Sequence, residues 1–222
     1  MIVGEQKPIS EIKAKVSPFN RLLILGCGTC VKTCFAGGED EVAILASALR
    51  LAFKKDGHNI RIEELTVERQ CEEEFLKEAA PAVIENGAVL SLACGAGVQM
   101  LASRFQRSTV LPGVNTTFIG VLEKQGLFTE KCTGCGNCIV DLFGGICPIS
   151  RCAKKLLNGP CGGSRDGKCE VNREVDCAWQ LIVDQAKSCG QIDRLTAYVP
   201  PKDWQSSYSG GPRKIFRQDH VI

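Results

Sequence analysis

The sequence predicts a protein of the α/β class whose second half is rich in cysteine. From about residue 20 to 122, short apolar runs alternate with segments of helical periodicity, which is typical of a parallel sheet covered by helices. From Lys131 to about Ser188 the cysteines concentrate and the sheet pattern ends. From Gln191 onward, the stretches PP and SSYSGGP indicate an extended arm without a core of its own.

These observations predict three domains. Residues 1–125 would form a small parallel-sheet domain of the Rossmann or flavodoxin-like kind, 126–190 a mostly irregular and helical metal-cluster domain, and 191–222 the extended C-terminal arm. The predicted strands are Leu22–Gly26, Ile60–Thr66, Ala88–Leu92 and Phe118–Leu122. The predicted helices are Glu39–Lys55, Glu72–Ala80, Val98–Phe105, Pro148–Leu157 and Arg173–Ser188, the last capped by Asn172.

Composition restricts the class of partner. With 27 basic and 25 acidic residues the net charge is only +2, which argues against nucleic acid. The N-terminus lacks the apolar core of a signal peptide, and the uncharged run Asn86–Ser103 carries too many glycines and polar residues for a membrane span. We therefore expect a cytoplasmic protein with reduced thiols.

The strongest motif is C-x2-C-x2-C at Cys132, Cys135 and Cys138, followed by Cys147 before a proline. This spacing is typical of thiolates that bind a [4Fe-4S] cluster, with the fourth ligand from farther along the chain. A zinc-stabilised loop is the alternative, but a third cysteine at the same step crowds a single tetrahedral ion. The glycines between these cysteines would let backbone N–H groups approach sulfur.

Four further cysteines follow at wider steps: Cys152, Cys161, Cys169 and Cys177. Together with Cys147 they supply enough thiolates to complete the first cluster and to hold a second centre. The spacing leaves open which cysteine serves which centre. It also leaves open whether the second centre is iron–sulfur or zinc. Zinc is a serious alternative because a structural zinc ion would stabilise a segment that has little apolar core.

A third group lies in the N-terminal domain, where Cys27, Cys30 and Cys34 form a C-x2-C-x3-C loop after the first predicted strand. Ligands of open α/β sheets collect at the carboxyl ends of strands. Cys94 and Cys71 follow two other predicted strands, so either could be the fourth ligand, with Cys94 favoured. A redox C-x-x-C pair without metal is the alternative. The fourteenth cysteine, Cys189, is interpreted as an ordinary thiol.

Other chemistry has weak candidates, and we predict no catalytic residue. The G-x-G after the first strand lacks its third glycine, which is replaced by Val31, so a dinucleotide site is not expected. The two histidines, His58 and His220, are expected at the surface. The acidic run Glu72–Glu74 is interpreted as the first turn of a helix.

The stretch CTGCGNCIVDLFGGICPISRCAKKLLNGPCGGSRDGKCEV, with DCAW beyond it, resembles the cysteine-rich C-terminal domain family of methylenetetrahydrofolate reductase. CGTCVKTC and SLACGAGVQ extend the resemblance to the stand-alone MetV-type form over about Leu22 to Trp204. The cysteine spacing predicts two or more [4Fe-4S] clusters. The resemblance leaves open zinc as the alternative at one cysteine site. It also implies a MetF-type flavoprotein partner whose flavin, expected to be FMN, reduces 5,10-methylene-tetrahydrofolate to the 5-methyl form in the Wood–Ljungdahl pathway.

Both lines of reasoning predict an electron-transfer subunit of an oxidoreductase complex. It would accept electrons from a ferredoxin or a larger redox complex and pass them to the flavin. The alternative is a zinc-stapled scaffold that assembles the flavoprotein complex without carrying electrons. The C-terminal arm could grip the flavoprotein through Trp204, Tyr208, Phe216 and Arg213, or it could be disordered.

Overall fold

The structure, a computed structural model, describes residues 1–220. The chain divides into two compact units. The first comprises Met1–Phe118 and Leu122–Phe128, and the second comprises Ile119–Val121 and the chain from Thr129. The second unit therefore includes the segment predicted as the C-terminal arm, whose last two residues, 221 and 222, lie outside the described residues. No described helix is long and apolar enough to cross a membrane.

The strands and helices are numbered in chain order. The strands are β1 (Ile2–Gln6), β2 (Arg21–Cys27), β3 (Arg61–Val67), β4 (Ala88–Ser91), β5 (Thr109–Pro112), β6 (Val114–Lys124) and β7 (Leu127–Cys132). The helices are α1 (Ile9–Val16), α2 (Cys30–Thr33), α3 (Glu39–Lys55), α4 (Glu73–Asn86), α5 (Gly95–Arg104), α6 (Pro148–Arg151) and α7 (Ala178–Ser188). Short 3-10 turns form at Val140–Phe143, Ile192–Thr196, Trp204–Ser206, Tyr208–Gly210 and Gln218–His220.

The first unit contains the parallel sheet that the sequence predicts, in the order β3–β2–β4–β5. Each neighbouring pair of these strands is parallel. Numbered among themselves, the four strands have the order 2-1-3-4, which is the order of the first four strands in flavodoxin-like sheets. The mixed α/β class is thus confirmed, as are the strands predicted at Leu22–Gly26, Ile60–Thr66 and Ala88–Leu92.

Helices cover both faces of this sheet because the side chains of β2 alternate between two apolar clusters. Leu22 and Ile24 pack with the buried face of α3, whereas Leu23 and Leu25 pack with residues of α4 and α5. Helix α3 has the bounds that the sequence predicts. Its acidic first turn includes Glu41, whose carboxylate accepts a hydrogen bond from the Gly38 N–H at 2.8 Å.

Several elements differ from prediction. The sheet's fourth strand is β5, whereas the predicted strand Phe118–Leu122 lies within β6 of a separate antiparallel sheet in the order β1–β6–β7. Helix α4 continues through Pro81 to Asn86 because Val83 extends its buried face beyond the predicted end at Ala80. Strands β1, β5 and β7 and helices α1 and α2 were not predicted.

The second unit has little regular structure. The predicted helix Pro148–Leu157 is wrong beyond Arg151, because Cys152 is extended and Lys155 has a φ of +55°. The predicted helix Arg173–Ser188 starts only at Ala178, since Asn172 forms a turn in which its side chain accepts the N–H of Glu174. The core of this unit is small and consists of Phe143, Trp179 and Ile182 with partly buried neighbours.

Candidate metal centres

The N-terminal cysteine loop begins where β2 ends. The Cys27 N–H donates to the Gly37 carbonyl at 2.8 Å, so the intervening loop returns to its starting point. A Cβ on Gly37 would lie 1.9 Å from the carbonyl oxygen of Leu92, so only glycine fits between the loop and the segment after β4. The loop is therefore held against the carboxyl edge of the sheet by backbone contacts.

A buried glutamine that sequence reasoning missed organises the same edge. The Gln70 amide donates to the carbonyls of Leu25 and Gly26 at 2.8 and 3.0 Å, and its oxygen accepts the Ser91 hydroxyl at 2.7 Å. The side chain is fully buried, so these bonds replace the water it loses. It ties the segment after β3 to the ends of β2 and β4. No pattern in the sequence distinguishes this glutamine from a surface one.

Three predicted ligands from separate strands meet at this edge. Cys27 is buried at the end of β2, Cys71 follows Gln70, and Cys94 precedes the first residue of α5. Partial burial raises the pKa of the Cys71 thiol, and the neighbouring sulfurs of Cys27 and Cys94 raise it further. The Cys27 thiol also lies 3.8 Å from the carbonyl of Glu68. The structure thus places Cys71 near both Cys27 and Cys94.

Cys34 has different surroundings from these three. Its thiol lies 3.7 Å from the Ile2 carbonyl of β1, and its half-buried side chain packs against the larger apolar cluster. Burial raises the pKa of this thiol, an effect that a hydrogen bond with the backbone of Gly4 opposes. Cys30, the first residue of α2, is half-buried and close enough to Cys34 to raise its pKa slightly.

The C-x2-C-x2-C motif lies on a loop after β7 that has the glycine conformations expected for approach to sulfur. Gly134 and Gly136 have φ values of +64° and +86°. The Gly134 N–H donates to the Cys132 sulfur at 3.3 Å, as the sequence predicts. Cys138 is exposed, and Cys147 precedes helix α6.

The C-terminal segment covers part of this loop. The Ser206 hydroxyl donates to the Cys135 carbonyl at 3.0 Å, and the Lys202 ammonium donates to the Asn137 carbonyl at 2.7 Å. A Cβ on Gly136 would lie 1.9 Å from the Ser206 carbonyl oxygen. Residues 202–206 of the predicted arm therefore pack on the chain's own cysteine loop, whereas Tyr208 and Phe216 are exposed.

The remaining four cysteines line one cavity of about 20 Å³ beside the core residue Trp179: Cys152, Cys161, Cys169 and Cys177. Cys177 precedes α7, while the other three lie in irregular segments or turns. A short antiparallel bridge between Lys168 and Asp176 holds the loop between Cys169 and Cys177. Four thiols from separate segments around one small cavity fit a tetrahedral metal ion or a cluster, since both bind four thiolates.

A charged pair borders this cavity. The Lys154 ammonium contacts the Glu170 carboxylate, and this contact is the main reason why the pKa of Glu170 is lowered. The Cys161 thiol also hydrogen-bonds that carboxylate, and the Gly163 N–H donates to the Cys161 sulfur at 3.4 Å. Lys154 and Arg151 line the same cavity as the four cysteines, so their positive charges would offset the negative charge of four thiolates.

All fourteen cysteines are free thiols. Among residues 1–220, no three cysteine, histidine, aspartate or glutamate side chains converge closely enough to hold a metal ion as they stand. The backbone thus brings the thiols into groups. Binding of an ion or cluster would require the cysteine side chains to change rotamer. Free rotation about χ1 allows that adjustment at exposed or half-buried cysteines.

Two other predictions can be compared with the structure. Glu73 and Glu74 lie in the first turn of α4, as predicted, and Glu72 pairs with Arg69 at 2.5 Å. His58 is half-buried, and so less solvated than predicted, because its Nε2 atom is buried and its ring packs 5.1 Å from that of Phe53. It has no hydrogen-bond partner at that atom and lies away from the cysteines.

Residues 111–205 match a family described as methylene-tetrahydrofolate reductase C terminal. This match supports a family related to that reductase. It covers the C-x2-C-x2-C loop and the four-cysteine cavity but not the N-terminal cysteines. No curated protein and no solved structure matches the chain.

Proposed function

We propose that the chain is an iron–sulfur electron-transfer subunit of a methylenetetrahydrofolate reductase complex. It would pass electrons to the flavin, expected to be FMN, of a MetF-type flavoprotein that reduces 5,10-methylene-tetrahydrofolate to the 5-methyl form. The observation that carries the proposal is the family match, which spans eight of the cysteines assigned to metal. A ferredoxin or a larger redox complex would be the electron donor.

We assign the thiols to three centres according to the loops that carry them. The first [4Fe-4S] cluster would be held by Cys132, Cys135, Cys138 and Cys147. The second centre would be held by the cysteines that share the small cavity, and a third would lie at the sheet edge of the first unit. When bound, such clusters supply one-electron transfer, with potentials that hydrogen bonds to sulfur adjust.

The chain's own groups orient and tune these thiolates. The Gly134 and Gly163 N–H groups point at cysteine sulfurs, and backbone donors of this kind stabilise negative charge on a thiolate. Ser206 and Lys202 hold the first loop by hydrogen bonds to its Cys135 and Asn137 carbonyls. The hydride chemistry is assigned to the partner's flavin, because one-electron clusters carry electrons and a flavin transfers the hydride.

The decisive experiment is metal and sulfide analysis of the full chain, purified without oxygen together with its flavoprotein. We expect iron and acid-labile sulfide in equal amounts. Cys135→Ala should stop electron flow from the natural donor to the flavin, while an artificial donor still reduces the flavin directly. Cys189→Ala, which changes an exposed cysteine outside these groups, is the matched control and should retain the wild-type rate. An unchanged natural rate in Cys135→Ala would contradict the proposal.

A zinc-stapled scaffold is the second candidate. The cavity of about 20 Å³ favours it locally, since it has room for roughly one atom the size of a water molecule. The scarce apolar core of the second unit favours it too, because structural zinc stabilises small domains directly. A colourless chain that holds stoichiometric zinc without iron or sulfide, and still assembles the flavoprotein complex, would establish the scaffold.

A further inference from the structure

We propose that Cys71 and Cys94 both bind the N-terminal metal centre together with Cys27, and that Cys34 does not bind it. This inference rests on the proposed function, because it assigns the ligands of one of the proposed centres. It differs from the spacing argument, which includes Cys34 and leaves one place for either Cys71 or Cys94.

The sheet topology places the centre between β2 and β4. The chain leaves β2 through α3 to reach β3 on one side, then returns through α4 to β4 on the other side. The gap between β2 and β4 is therefore the point where the strand order reverses, and open α/β sheets bind ligands in the crevice outside the strand ends at that point. Cys27 ends β2 and Cys94 follows β4, so these two thiols flank the crevice.

Gln70 brings Cys71 to the same crevice. Its side chain is fully buried between the Gly26 carbonyl at the end of β2 and the Ser91 hydroxyl at the end of β4. A Cβ on Gly97 in the first turn of α5 would lie 3.0 Å from the Gln70 Cβ, so this segment is also close to the helix that Cys94 begins. The next residue, Cys71, therefore has little freedom to leave the edge.

The Cys34 thiol differs from those at the crevice in the sheet that it contacts. The Cys34 sulfur instead contacts the backbone of β1, at Ile2 and Gly4, which belongs to the other sheet. Cys34 has the surroundings of a structural thiol that anchors the loop to β1.

The test compares alanine variants of Cys71 and Cys34 in the full chain, reconstituted without oxygen with Fe²⁺ and sulfide. We expect Cys71→Ala to lose about four irons per chain and one cluster's signal in the electron paramagnetic resonance spectrum of the reduced protein. Cys34→Ala should keep the wild-type iron content and spectrum. Circular dichroism checks that both variants are folded, and Cys34→Ser is the substitute if alanine loosens the loop. Retention of all iron in Cys71→Ala, or loss of a cluster in folded Cys34→Ala or Cys34→Ser, overturns the assignment.

The same variants separate this inference from the proposed function. If the wild-type chain takes up no iron or sulfide, the electron-transfer function fails, and Co²⁺ then replaces iron as the probe. Cobalt bound by four thiolates has an intense thiolate absorption, so loss of one site's absorption in Cys71→Ala but not in Cys34→Ala would still support the ligand set. If the wild-type holds iron and Cys71→Ala retains all of it, only the ligand assignment fails.

Discussion

In the first unit, Cys27, Cys71 and Cys94 follow strands that are packed on both faces, whereas in the second unit Cys152 and Cys161 lie on loops around a small cavity. The sheet of the first unit buries two apolar clusters, so its thiols are placed by a core that exists without metal. The second unit has a core of a few side chains, and two of its cysteines, Cys152 and Cys177, are partly buried neighbours of that core.

The two groups of thiols therefore depend on metal to different degrees. A site on a packed sheet is preorganised, and metal binding there changes mainly the side chains. A site built from loops gains its fold from the metal, because the free energy of metal binding becomes free energy of folding. The comparison predicts unequal responses of the units to metal loss and to substitution.

Removal of metal should have the largest effect. We expect the loops from 129 to 177 to lose amide protection when metal is stripped, while β2, β3 and β4 stay protected, because structural metal sites contribute about 10 kcal/mol or more to folding. Hydrogen exchange followed by mass spectrometry, on the chain before and after chelation, measures both units in one experiment. Equal loss of amide protection in both units would contradict the proposed difference in their dependence on metal.

Substitution of Trp179 should have the next largest effect, because this side chain forms much of the second unit's core. Its ring packs edge-on against Phe143 with centroids 5.8 Å apart, and its N–H donates to the Leu156 carbonyl at 3.0 Å. Trp179→Ala should cost about 3–5 kcal/mol of that unit's stability, measured by exchange of the α7 amides.

The chain's other tryptophan, Trp204, is the matched control for this experiment. It is 38% exposed, and the Lys155 ammonium makes a cation–π contact with its ring. Trp204→Ala should cost only about 0.5–1 kcal/mol. If the two substitutions had equal effects, the second unit would not depend on the small core as we describe.

Loss of the Gln70 amide should have a smaller effect that is confined to the first unit. Gln70→Leu leaves the Ser91 hydroxyl and the Gly26 carbonyl without their buried partner, which should cost about 1–3 kcal/mol. It should also lower iron retention at the N-terminal centre, while the centres of the second unit keep theirs. Urea unfolding and metal analysis provide the two measurements.

Gln99→Leu is the control for that change, because Gln99 is exposed and bonds only its own helix at Gly95. Its stability should stay within about 0.5 kcal/mol of the wild-type value. A Gln70→Leu variant that behaved like Gln99→Leu would show that the buried amide does not organise the sheet edge.

Much of the first unit could be predicted because its structure is local in the sequence. Strand β2 is a continuous apolar run, and α3 has one apolar face with charges of the right sign at its ends. Strand β1 was missed because Gly4 and Glu5 interrupt its pattern, and it pairs with a strand more than a hundred residues away. Long-range pairing of this kind cannot be read from periodicity.

The prediction of the candidate ligands was limited in the same way, by contacts between parts of the chain that are distant in sequence. The spacing of Cys132, Cys135 and Cys138 suggests one site because a short loop keeps its thiols together whatever the rest of the chain does. The sequence favoured Cys94 over Cys71, but the distances of both residues to Cys27 depend on strand order and on the burial of Gln70, which the sequence does not show. Cys34 was included for its spacing, although the side chain faces another sheet.

The smallest predicted effect concerns a surface carboxylate of the first unit. Hydrogen bonds from Lys15 and then Lys7 hold the pKa of Glu11 below its ordinary value. A carboxyl whose pKa is lower in the folded chain stabilises the fold above the unfolded value, and this contribution disappears as the pH falls through the folded value. Because Glu11 is exposed, the effect should be visible in its own titration and not in the unit's unfolding.

NMR titration of the Glu11 side chain in wild-type and in Lys7→Ala/Lys15→Ala measures this shift. The double variant should titrate at a higher pH than the wild-type, close to an ordinary glutamate, with unchanged protection of β2 and β4. An equal midpoint in both proteins would mean that the two lysines do not hold the carboxylate. A large loss of sheet protection in the double variant would show that surface charge, as well as the two apolar clusters, maintains the frame that carries Cys27, Cys71 and Cys94.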